Sequence, residues 1–333
     1  MELSAACLST TTGPEILNTL EFSQTSHEIL TVQNLDESQF KRNSIQNGVQ
    51  KNEIGGSMFL GYFKAAVFIF ISTTLHAQTF PWDVEIPSDD QVLKSFSKIQ
   101  NEKSLPAIFE IISWNVEKGD AGAEFYSDLE LISQPAHLVL LQEAMDNRQM
   151  PAELTRLNFG DIWMAQSFRV IDENISTGVA TLSKAKVEHV FFRRSPGREP
   201  YLKTPKITLG AAYKLSSGGS ILVLNIHGIN FVSTDDFKNQ IYDLLPFIGN
   251  FQGKVIFAGD FNTWNEDRLN FLTGILKMIG MTHVRFQNGE PYNDYGFVLD
   301  HIFVRGCKVL EARVLDDILS SDHSPVSARL DCH

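Results

Sequence analysis

Asp260 and Asn262 lie two residues apart, just after the apolar run Val255 to Ala258 and Gly259. In an extended or turning segment this spacing lets a carboxylate and a carboxamide project to the same side. The carboxylate can take a proton from water, and the amide can donate to a substrate oxygen without ionising. The spacing recurs at Asn225 and His227, after the run Ile221 to Leu224. Asn115 ends another β-rich run, and Glu143 follows Leu138 to Leu141. Asp322 and His323 stand ahead of Pro325 to Leu330, and Asp300 sits in FVLDHIFV. Any one of these alone also fits a polar turn or a satisfied core histidine. Grouped with other acids, Glu143 becomes a natural oxygen ligand for a hard divalent cation. The side chains of adjacent Asp322 and His323 diverge, so the carboxylate that holds His323 comes from elsewhere, and Asp300 is the candidate.

These residues need strands that end at one place. Apolar or β-branched runs predict strands over Ile108–Val116, Leu138–Leu141, Thr177–Ser183, Ile207–Leu215, Ser220–Asn225, Val255–Ala258, Phe297–Val304 and Pro325–Leu330. Gly178 marks a close backbone approach. Helical spacing predicts helices over Gly122–Ser133, Pro151–Leu157, a segment capped by Thr234 that carries Phe237, Ile241, Leu244, Leu245 and Ile248, and Glu266–Ile279 with Gly280 as its stop.

The bulk numbers narrow the function classes. A chain of 333 residues that is 43% hydrophobic can bury one large core or two modest ones, and a formal charge of −12 argues against a broad basic face for nucleic acid. Cys7, Cys307 and Cys332 have no metal-ligand spacing and make no disulfide scaffold. After export, Cys307 and Cys332 would be the two remaining thiols, either paired or free.

Residues 1–57 are polar, without helical or strand period, and predict no domain. Residues 58–77 have the parts of a secretory signal: Lys64, the apolar run Ala65 to Leu75 and a small residue at Ala77. As a helix that run spans about 16 Å, against about 30 Å for a bilayer core. A cleaved signal with a true start at Met58 is the leading expectation, giving an exported, periplasmic or secreted protein. An inner-membrane anchor and a buried helix are the alternatives. Residues 78–107 read as a linker and 108–333 as the catalytic domain. Arg193 to Lys206 forms the clearest basic island, RRSPGREPYLKTPK, readable either as a phosphate-facing loop or as a solvated connection.

In this order, the strings SWNV, LLQEA, NIH, GDFN, LDHIFV and SDHSPV resemble the motif set of the endonuclease/exonuclease/phosphatase superfamily, the DNase I-like fold, over about Ile108 to Leu330. NIHGINF, AGDFNTW and EPYLKTPK are similar to an uncharacterised bacterial branch of it. The resemblance implies an α+β fold, a four-layer α/β/β/α sandwich of two mixed sheets flanked by helices. It also implies phosphodiester hydrolysis by activated water with Mg²⁺ or Mn²⁺. Carried over residue by residue, Glu143 resembles the principal metal ligand, with Asn115 positioning metal or phosphate and Asp322 near the metal. Asp260 resembles the group that activates water, and Asn262 the donor to phosphate. His323, held by Asp300, would stabilise charge on phosphorus, and His227 would protonate the leaving oxygen. Asn225, Arg193, Arg194 and Arg198 are the further substrate-binding candidates. Nucleic acid, a phospholipid headgroup and a small phosphoester all remain open as substrate. No obligate protein partner is implied, and membrane attachment follows if the leader stays uncleaved. A non-catalytic binding protein on the same fold and a membrane-tethered interaction protein are the rival classes.

Overall fold

The computed structural model describes residues 83–96, 102–147, 149–292 and 296–333. The polar extension 1–57, the apolar segment 58–77 and Cys7 lie outside the described residues. In chain order the strands are β1 (Val84–Glu85), β2 (Leu93–Ser95), β3 (Ile108–Asn115), β4 (Leu138–Asp146), β5 (Asp161–Val170), β6 (Ile175–Ser183) and β7 (His189–Arg194). They continue as β8 (Ile207–Lys214), β9 (Ser220–His227), β10 (Lys254–Asp260), β11 (Thr282–His283), β12 (Asp300–Arg305), β13 (Lys308–Val314) and β14 (Val326–Asp331). The longer helices are α1 (Ala123–Ser133), α2 (Gln149–Arg156), α3 (Thr234–Asn250) and α4 (Glu266–Met278).

The strands form two mixed sheets. The first is eight-stranded in the order β1-β5-β6-β4-β3-β14-β13, with β2 also on β5, and the second is six-stranded in the order β11-β12-β10-β9-β8-β7. Each contains one parallel pair, β3 with β4 and β9 with β10, among antiparallel neighbours. Alternation along each strand divides the apolar residues between two layers. Ile111, Leu138, Leu140, Val223, Ile256 and Ile302 meet between the sheets, whereas Ile112, Trp114, Val139 and Leu141 turn outward to Phe125, Leu129 and Met150. On the far side, Leu224, Phe257 and Phe303 pack against Phe237, Ile241 and Leu272 of α3 and α4. The result is the helix–sheet–sheet–helix layering expected from the sequence.

Two local readings change, and one alternative left open is decided. The described part of 78–107 is not merely a connection: β1 and β2 pair with β5, and Leu105 bridges to Leu215, just past the end of β8. Such short edge strands carry too little pattern to read, because only one of their faces has a partner. Ser233, not Thr234, caps α3, its hydroxyl accepting from the Asp236 N–H at 3.1 Å. Cys307 and Cys332 form a disulfide, with Cα atoms 4.4 Å apart. Gly178 fulfils its expectation, since a Cβ there would lie 1.9 Å from the Ala165 carbonyl oxygen. No helix among the described residues is long and apolar enough to cross a membrane.

Candidate active site

Strand register assembles the centre of the site. His227, Asp260 and Asp300 are direct neighbours across β9, β10 and β12, at the ends of all three strands. Gly259 makes this possible: its φ is +144°, and a Cβ on it would lie 2.0 Å from the Ile226 carbonyl oxygen. Asn262, with φ of +53°, turns the chain back so that its N–H donates to Asp260 Oδ1 at 2.8 Å. Its amide donates to the Gly228 carbonyl at 2.9 Å and reaches Asp260 Oδ2 at 3.4 Å. Asn115, arriving from the other sheet at the end of β3, donates to Asp260 Oδ2 at 3.0 Å and accepts from the Glu117 N–H.

Asp260 is therefore fixed by donors on several sides. Burial pushes its carboxyl up to about 7, with Asp300 adding to the rise, while His323 and the Asn262 and Asn115 donors restrain it. His323 shows the opposite balance. Burial would neutralise the ring, but the Asp300 carboxylate at 2.6 Å from Nδ1, helped by Asp260 and Asp322, raises it to about 10. Nδ1 thus donates to Asp300, and the Nε2–H remains on the side of Asp322, whose carboxylate is 4.0 Å away. The His323 carbonyl accepts from the Trp114 indole at 2.8 Å, which anchors this loop to β3.

Glu143 emerges by a different device. The pairing of β4 with β6 shifts register between Gln142 and Ala144, so Glu143 sits in a bulge, with φ of +54°. A bulge re-aims the side chain that an even strand would direct elsewhere. Its carboxylate lies 3.8 Å from His227 Nε2, and His227 Nε2 lies 3.5 Å from Asp260. Burial opposes ionisation of Glu143, but Lys206 and Lys118 outweigh it and hold the group well below the usual carboxylate range. Lys118 Nζ is 2.5 Å from Glu143 Oε2. Burial and Lys206 together push His227 well below the usual imidazole range, so the ring is neutral.

Asp322 joins the rim through its N–H, 3.3 Å from the Glu117 carboxylate. Glu117 is raised above its ordinary value, by burial first and then by the Asp322 charge. The structure thus brings together Asn115, Glu143, His227, Asp260, Asn262, Asp300, Asp322 and His323. Glu143, Asn115 and Asp322 offer oxygen atoms of the hard type that a divalent cation takes. Among the described residues, no three His, Cys, Asp or Glu side chains are closed around a single point.

Two expectations about substrate binding are corrected. Asn225 is fully buried between the sheets: its amide donates to the Leu141 and Ala180 carbonyls at 3.2 and 2.9 Å, and its oxygen accepts from Gln142 at 2.7 Å. It ties β9 to β4 and β6 and has no face left for a ligand. Arg193 makes a forked pair with Asp243 at 2.6 and 2.8 Å, Arg194 binds Asp89 and the Pro87 carbonyl, and Arg198 donates to the Lys203 carbonyl at 3.2 Å. The first two are spent on surface pairs at edge strand β7. The basic residue of this island that does act on the site is Lys206, which with Lys118 and Glu117 was missed. Lys118 and Glu117 follow Asn115 closely, but their left-handed φ values of +61° and +43° fold a short turn back over Glu143 that residue spacing does not reveal.

Residues 112–323 match the model of the endonuclease/exonuclease/phosphatase family. The chain belongs to that family. It is 36% identical over 226 residues to a UPF0294 protein of Erwinia tasmaniensis, covering 67% of this chain and 81% of that one. A UPF0294 protein of Klebsiella pneumoniae is 34% identical over 218 residues, 65% of this chain and 79% of the relative. Among solved structures, an endonuclease/exonuclease/phosphatase protein from Beutenbergia cavernae superposes with a TM-score of 0.58 at 17% identity, over 67% of this chain and 71% of that one. ANGEL2, described as a 2',3'-cyclic phosphatase, superposes at 0.54 and 15% identity, over 72% and 97%. The bacterial branch and the DNase I-like sandwich expected from the motifs are both found. Members of the family hydrolyse phosphoester bonds, and as an endonuclease/exonuclease/phosphatase protein this chain is a phosphoesterase in that general sense.

Proposed function

We propose that the protein is a divalent-cation-dependent phosphodiesterase that uses directly activated water. The observation that carries this reading is the row His227, Asp260 and Asp300, with His323 held protonated on its far end. Asp260, with a carboxyl at about 7 and fixed by Asn115 and Asn262, takes the proton of the attacking water. His323 turns its Nε2–H toward the phosphoryl oxygens, and Asp300 keeps that charge in place as negative charge builds at phosphorus. His227, neutral, orients rather than serving as a strong acid. A hard cation such as Mg²⁺ or Mn²⁺, held by Glu143 with Asn115 and Asp322, would supply the remaining positive charge. Lys118 and Lys206 keep Glu143 ionised for that task.

The test is a substrate panel of plasmid DNA, RNA, sphingomyelin, phosphoinositides and a chromogenic diester, run with Mg²⁺, Mn²⁺, Ca²⁺ and chelator. The expected result is cation-dependent hydrolysis that Asp260→Ala lowers by about 100-fold or more. Turnover near wild type in Asp260→Ala would overturn the assignment.

A further inference from the structure

The loops beside the catalytic residues carry large apolar side chains that face solvent. Phe231, four residues after His227, is 68% exposed, and Leu319, four before His323, is 78% exposed. Tyr201, five before Lys206, is 61% exposed, and Trp264, two after Asn262, is 36% exposed. Scattered singly over a surface such residues mean little, but on loops bonded to one another or to the catalytic residues they mark a contact surface.

These loops are braced from beneath. The Arg268 guanidinium, fully buried, donates to the Ile229 and Asn262 carbonyls at 3.0 Å each and to the Val232 carbonyl at 2.8 Å. It also lies 4.6 Å from the Trp264 ring. One cation therefore fixes the Phe231 and Trp264 loops together. The Tyr201 loop closes on itself through the Glu199 and Lys203 backbone bonds and is joined to its neighbour by the Asn230 N–H, 3.1 Å from Glu199 Oε1. The loop of Leu319 is pinned on its other side, where Ser320 donates to Asp128 and Ser321 to the Asn115 carbonyl, each at 2.7 Å. Phe231 stands at φ of +55°, where a bulky side chain is strained. Bracing that holds a strained phenyl ring out in water is an arrangement that solubility alone would remove.

We propose that this rim docks on a phospholipid bilayer and that the ester cleaved belongs to a phospholipid headgroup presented from that surface. The inference rests on the phosphodiesterase reading and names its substrate class. Phe231 and Leu319 provide apolar tips able to enter the acyl boundary, and Trp264 and Tyr201 are of the types that settle at headgroup level. Arg198 and Lys203 flank Tyr201, and neither has a carboxylate partner among the described residues, so they meet anionic lipid phosphates. A nucleic-acid track is disfavoured by the pairing of Arg193 and Arg194 with Asp243 and Asp89, which leaves no run of free arginines among the described residues to follow a phosphate backbone.

The test uses the full chain and vesicles of phosphatidylcholine with phosphatidylglycerol, some carrying brominated acyl chains that quench tryptophan on contact. Trp82 follows residues 58–77 by five positions, so insertion of that segment would quench Trp82, and only the part of the signal lost in Trp264→Phe reports docking of the rim. The expected result is quenching that Trp264→Phe lowers. The Phe231→Ser/Leu319→Ser variant should lower the ratio of vesicle-lipid to soluble-diester hydrolysis at least about tenfold. Absence of Trp264-dependent quenching on vesicles overturns the proposal, as does salt-sensitive quenching of Trp264 by single-stranded oligonucleotide in its place. Quenching without hydrolysis of any ester upholds the docking surface and removes the phosphodiesterase reading instead.

Discussion

Asp300 and His301 are neighbours on β12 and point to opposite faces of the sheet, and each ends beside a buried imidazole in a different state. On one face Asp300 holds His323 protonated to about 10. On the other, His301 and His283 lie among Phe261 and Phe303, and burial lowers them to about 3 and about 4. Their hydrogen bonds fix the protons. The Thr263 hydroxyl donates to the Val298 carbonyl and so accepts from His301 Nε2–H at 2.7 Å. His301 Nδ1, left bare, accepts from His283 Nε2–H at 3.1 Å, and His283 Nδ1 is buried without a partner among the described residues. Both clusters are buried and both contain histidine. The difference is one carboxylate: where it is present burial intensifies the charge, and where it is absent burial forbids it.

Removing that carboxylate should erase the contrast with the largest effect. Asp300→Asn is expected to cost about 100-fold or more in kcat/KM, because the ring loses both its charge and its tautomer. NMR of the His323 imidazole should show its titration falling from about 10 toward the ordinary histidine range, and a ring still protonated at pH 9 would break the comparison.

A smaller effect sharpens the neutral side. His283 and His301 resist protonation when folded but take protons near pH 6.5 when unfolded. Their contribution to stability is therefore complete above pH 6.5 and is lost as pH falls from there toward about 4. The slope is at most about 1.4 kcal/mol per pH unit for each ring. Urea midpoints measured across that window should flatten in His283→Phe, and an unchanged slope would assign the acid sensitivity elsewhere.

The smallest effect belongs to charges that water screens. Arg193→Ala breaks an ion pair whose arginine is 44% exposed, and its expected cost is below about 1 kcal/mol in denaturant unfolding, with kcat unchanged. A large loss of turnover would return the arginine island to the site.

These contrasts also explain what could be read in advance. Asp260, Glu143 and His323 were legible because each follows or precedes an apolar run, and register then carries strand ends to one place. Asn225 misled because the same pattern suits an amide that bonds inward, and only the opposite sheet decides which way it faces. Arg193 and Arg194 misled because their partners, Asp243 and Asp89, are remote in sequence. The Lys118 contact and the histidine pair depend on a left-handed turn and on packing across β11 and β12, for which linear spacing carries no signal.

The amide of Asn225 has a mechanical meaning as well. With one side chain bonded to three backbones or side chains across the gap between the leaves, sliding either leaf past the other would strand several polar atoms in a dry interior. The distance separating Glu143 from Asp260 is consequently locked from inside the body of the protein, and selection for a wider or narrower mouth would have to act through the surrounding loops.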